Sequence, residues 1–167
     1  MVAGGYAVAF LAASAAVALR VANTSGPVAQ ASSGMYAFGD SVLFVAVFGM
    51  LALVPTAAAL FFLRPYDRFW QVLSVLALIV VLTGVAAAIL FAVGRHAAAP
   101  STLATWAAFS VLRILLAPLL ALAFLVCALF SPNRHPRFAF LAATFMEGAV
   151  SAYGAIIWFI PLLFHRS

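Results

Sequence analysis

Polar side chains along this chain come in short clusters, and the stretches between them are apolar for roughly twenty residues or more, the length a helix needs to cross a bilayer. Five such runs stand out: 2–19, 41–63, 70–93, 103–130 and 138–164. In lipid a backbone must satisfy its own hydrogen bonds, and runs of this length do so as helices. The pattern predicts an all-α fold: a polytopic integral membrane helical bundle of five transmembrane helices, with residues 1–167 forming a single transmembrane domain. Helices two to five are expected to supply most of the core. The Ala-rich first helix should pack tightly against them through small residues at helical spacing, Gly5, Ala9 and Ala13 with Ala12 and Ala16. No basic residue precedes this first run, so it reads as a retained span rather than a secretory signal.

The connections set the orientation. "RPYDR" (Arg64–Arg68) and "SPNRHPR" (Ser131–Arg137) are short and basic, and five spans place both on the side of the N-terminus. That side holds Arg64, Arg68, Arg134 and Arg137, against Arg20, Arg95 and Arg166 opposite. Short basic loops mark the cytoplasmic face. The N-terminus is therefore expected inside a bacterial inner membrane, with the C-terminus and the long Ser- and Gly-containing loop Ala22–Gly39 on the periplasmic or outer side. The two basic loops belong to segments that match at five of eleven positions, ALFFLRPYDRF and ALFSPNRHPRF. A duplicated hairpin and coincidence both account for that match.

Composition agrees with a lipid environment. Hydrophobic residues make up 68% and charged residues 7%, with mean hydropathy +1.25. A soluble domain carries about 25% charge. The net charge of +5 comes from eight arginines and no lysine, a bias that suggests a GC-rich bacterium. The arginines sit at span ends, where they meet lipid phosphates, so membrane lipids are the expected partners and nucleic acid is not. A lone cysteine, Cys127, allows no intrachain disulfide and no Cys-pair metal motif.

Two charges break the apolar runs. Counted from Phe138 at 1.5 Å per residue, Glu147 lies roughly 14 Å along its helix, near the middle of a hydrocarbon core about 30 Å thick. An ionised carboxylate facing lipid there costs several kcal/mol, so Glu147 must face the bundle, be paired, or be protonated. Thr144, Glu147, Ser151 and Gly154 share one helix face, with Phe145, Val150, Ile156 and Ile157 expected toward lipid. Arg113 is the one arginine inside a span, about 15 Å from Leu103, flanked on its face by Ser110 and Ala117. Antiparallel packing of the fourth and fifth helices predicts that Arg113 and Glu147 meet directly or through water. A structural lock between helices, separate solvation with Arg113 snorkelling outward, and a substrate, ion or proton site are three readings of such residues. Tyr153, deep in the fifth span, is expected to find a hydrogen-bond partner in the bundle.

Other features are weaker. Pro55, Pro118 and Pro161 fall within spans and read as kinks before they read as ligand-binding breaks. Asp40 reads first as a cap of the second helix and second as a partner of Arg20; Ser101 or Thr102 is a cap for the fourth. Tyr36, Tyr66, Trp70, Trp106 and Trp158 suit an interfacial aromatic belt. His96, His135 and His165 end spans as solvated side chains, with haem held by His96 and His165 the lesser reading. The sequence carries no phosphate-binding loop, no dinucleotide fingerprint and no nucleophile–histidine–acid set. No enzyme activity, metal or cofactor is expected. Three roles remain: a non-enzymatic accessory or assembly subunit, partnered by other membrane subunits or further copies of itself; a small transporter or ligand-binding protein with a midplane Arg113/Glu147 site; and, last, a haem or quinone redox protein.

Overall fold

The computed structural model describes residues 2–24, 33–96 and 101–164, with side chains described to 158 and at 160. Within these lie five helices and no strand: α1 (Val2–Asn23), α2 (Ser33–Phe62), α3 (Asp67–Gly94), α4 (Thr102–Phe130) and α5 (Arg134–Phe164). All five are long and apolar enough to cross a membrane. The chain is an all-α, multi-span membrane protein.

All five helices extend past at least one of the boundaries read from hydropathy, and α1 runs on to Asn23, four residues beyond its apolar run. α2 starts at Ser33, eight residues before the apolar run, so the expected loop from Ala22 to Gly39 is helical over its last part. Asp40 consequently lies about two turns inside the helix instead of capping it. α5 starts at Arg134 and carries Pro136 in its first turn, where a missing N–H breaks no helical hydrogen bond. The other signals act where the sequence places them. Ser101 is the α4 N-cap, its hydroxyl accepting from Ala104 N at 3.2 Å. At the far end, Ser131 N donates to Cys127 O, and Pro132 follows.

The chain divides into two compact units, Met1–Phe62 and Leu63–Ser167. In the first, α1 packs along α2. Gly5 lies against Pro55, where a β-carbon would come within 2.8 Å of the proline Cβ, and Ala9 and Ala13 are buried. Small residues let two backbones approach in lipid, where apolar burial alone drives no association. A polar chain fixes the pair. Thr56 Oγ1 gives its proton to Ala52 O at 2.6 Å, so Tyr6 Oη must donate to Thr56 Oγ1 at 2.8 Å. Arg20 of α1 holds Asp40 of α2 at 2.8 Å, the second of the two roles read for that acid.

In the second unit α3, α4 and α5 pack mutually. Their buried positions step by alternating threes and fours: Trp70, Ser74, Ala77, Val81 and Gly84 on α3; Ala107, Ser110, Ile114 and Ala117 on α4; Phe140, Ala143, Glu147, Val150 and Gly154 on α5. Helix two packs with helix one, and the three later helices close a core of their own. The expectation that Val150 faces lipid is corrected: it lies three residues beyond Glu147 on the buried face and packs with Ile114 and Ala117. Trp70, read as interfacial, is fully buried, edge-on to Phe140, its indole N–H donating to Leu63 O at 3.2 Å.

Candidate functional site

Among the described residues of the second unit, the one buried charged cluster is built from all three helices. Arg113 reaches from α4, Glu147 faces inward from α5, and α3 supplies the Val80 carbonyl, the Thr83 hydroxyl and the space left by Gly84. Arg113 Nη1 donates to Glu147 Oε2 at 3.1 Å, and Nη2 donates to Glu147 Oε1. This is the two-pronged guanidinium–carboxylate geometry that places both carboxylate oxygens on parallel N–H groups. Nη2 also donates to Val80 O at 2.9 Å, and Nε to Thr83 Oγ1 at 3.1 Å. Thr83 passes its own proton to Val80 O at 2.6 Å.

Burial makes these contacts consequential. Glu147 is 0% exposed, and the Arg113 side chain 18%. The pair lies about 20 Å from the start of α5 and about 17 Å from the start of α4, well inside both helices. An unpaired charge at such depth is costly, whereas opposite charges joined by several hydrogen bonds recover part of that cost. Gly84 is part of the arrangement. A β-carbon there would sit 2.7 Å from Arg113 Nη2 and 3.1 Å from Glu147 Oε1, so any side chain would press on the pair.

The remaining sequence candidates lie elsewhere. Ser110, Thr144 and Ser151 each return the hydroxyl proton to a backbone carbonyl of their own helix: to Trp106 O, Phe140 O and Glu147 O at 2.9, 2.9 and 2.8 Å. Hydroxyl groups in apolar helices commonly settle this way. The partner expected for Tyr153 is absent among the described residues, because that side chain lies on an apolar groove of about 320 Å³ with Ala88, Ile89 and Met146. Sequence reasoning missed Val80, Thr83 and Gly84. The available signal was Thr83–Gly84, a polar–small break in the middle of an otherwise aliphatic run.

No cluster of His, Cys, Asp and Glu among the described residues is placed to hold a metal ion. His96 accepts a hydrogen bond from Arg95 Nε at 2.9 Å, while His165 and Arg166 lie outside the described residues. No known family model matches the chain, and no curated protein or solved structure is significantly similar to it.

Proposed function

We propose that this chain is a non-enzymatic accessory or assembly subunit of a membrane complex. The proposed setting is a bacterial inner membrane, with the N-terminus cytoplasmic and the C-terminus periplasmic or extracellular. One observation carries the reading. The midplane carboxylate is wholly buried, and the Arg113 guanidinium occupies both its oxygens. Glu147 is wholly buried and each of its oxygens already accepts from Arg113, which favours a structural pairing over a site for a transported ion or ligand. The pair instead suits a clasp that holds α3, α4 and α5 in one orientation, leaving their outer faces for lipid or partners.

The runner-up is a small transporter or ligand-binding protein using the same pair. It would draw on the part of Arg113 that remains accessible. Purification in mild detergent with native lipids, followed by mass spectrometry of whatever co-elutes, separates the two. The subunit reading expects another integral membrane protein in fixed ratio, retained also by the Glu147→Gln variant. A chain that elutes alone, carrying a small molecule that Glu147→Gln releases, would overturn it in favour of the runner-up.

A further inference from the structure

The basic end of the Leu63–Ser167 unit has unused charge. Asn133 Nδ2 donates to Asp67 Oδ1 at 2.8 Å, so the segment entering α3 and the loop between α4 and α5 lie side by side. Around this contact Arg64, Arg68, Arg134 and Arg137 are all exposed. Among the described residues none of their side chains takes part in a hydrogen bond or ion pair. Four positive charges against Asp67 leave +3 at one end of a three-helix unit. α3 and α5 both begin here, so the positive ends of two helix dipoles add to that field. The α3 N-cap, Tyr66, makes no side-chain capping bond.

An apolar channel starts at the same place. Arg68, Phe69, Val72, Leu73 and Leu76 line a groove of about 340 Å³ along one face of α3. From Arg68 to Leu76 it runs about 12 Å down the helix, from the charged rim toward the apolar middle of the span. Charge and groove together fit a molecule with an anionic head and a hydrocarbon tail. A soluble anion would leave the groove unused, and a neutral lipid would leave the arginines unused.

We propose that this end is a binding site for an anionic phospholipid. Arg64 and Arg68 hold the phosphate, Arg134 and Arg137 complete the positive rim, and one acyl chain lies along Val72, Leu73 and Leu76. The inference depends on the chain spanning a membrane and is independent of the subunit role. Native mass spectrometry of the delipidated full chain, titrated with phosphatidylglycerol or phosphatidylcholine of identical acyl chains, tests it. Phosphatidylglycerol is expected to bind at least about tenfold more tightly. Each arginine near an anionic head contributes roughly fivefold, so Arg64→Gln with Arg68→Gln should weaken phosphatidylglycerol on the order of twenty-fold and leave phosphatidylcholine nearly unchanged. Arg95→Gln, at the opposite end of α3, should alter neither. The tail-free headgroup glycerophosphoglycerol should fail to displace the lipid. Equal binding of the two lipids, insensitivity to Arg64 and Arg68, or displacement by the tail-free headgroup would each overturn the proposal; far-UV circular dichroism confirms that the variants remain folded.

Discussion

Removing Glu147 while keeping Arg113 is the severest single test of the buried pair. Glu147→Leu keeps an apolar side chain of similar bulk and deletes two charge-assisted hydrogen bonds, each worth about 1.5–3 kcal/mol. Arg113 would keep Val80 O and Thr83 Oγ1 but lose the acid it is paired with. The expected destabilisation is about 3–5 kcal/mol, the range for stripping one partner from a buried pair. Arg113→Met should cost a similar amount by stranding the carboxylate. Val80 O would not be stranded, because Thr83 still donates to it. The double variant is the informative one. With both charges replaced by apolar side chains, no buried polar atom is orphaned, and stability should return to within about 1 kcal/mol of the parent chain. Reversible unfolding by sodium dodecyl sulfate in mixed micelles, followed by far-UV circular dichroism, gives all four free energies. Single variants costing under about 1 kcal/mol would mean that the charges are solvated separately. A double variant costing the sum of the singles would mean that they do not compensate each other. Either result refutes the clasp.

Two further outcomes follow from the same structure. Trp70→Ala should cost about 3–5 kcal/mol in that assay, since it empties a fully buried site and removes the edge-on contacts with Phe69 and Phe140. Asp40→Asn should cost less than about 1 kcal/mol, because its pair with Arg20 is partly exposed on both sides (35% and 22%) and is screened accordingly; a loss comparable to that at Glu147 would contradict this.

Hydropathy made the five helices legible because lipid leaves a chain few alternatives, and a run such as 70–93 already meets the length requirement. Their ends were less legible. Two glycines and a serine around Met35–Phe38 made residues 33–39 look like loop, and Arg134–Arg137 carries no apolar run, yet helices continue into the interface after the hydrophobic run stops. The pairing of Arg113 with Glu147 followed from depth and antiparallel order. Its α3 partners did not, because a backbone carbonyl such as Val80 O has no signature and a glycine that clears space looks like any other. Trp70 and Val150 were misplaced for a related reason. In an oily solvent, inward and outward residues share one chemistry, so polarity ceases to report burial and only size and spacing remain.

The alternation of threes and fours along α5 has a consequence for how this gene can tolerate change. Such spacing is a seven-residue repeat, which winds packed helices into a left-handed coil. One codon inserted between Phe140 and Glu147 would turn the acid by about 100° relative to the residues before it and aim it at hydrocarbon. A block of seven would shift the phase by only about 20°, though it would carry the acid past the depth of Arg113. Length variation within this stretch is therefore closed off in any size, and drift in related genes should accumulate instead in the connections between rods.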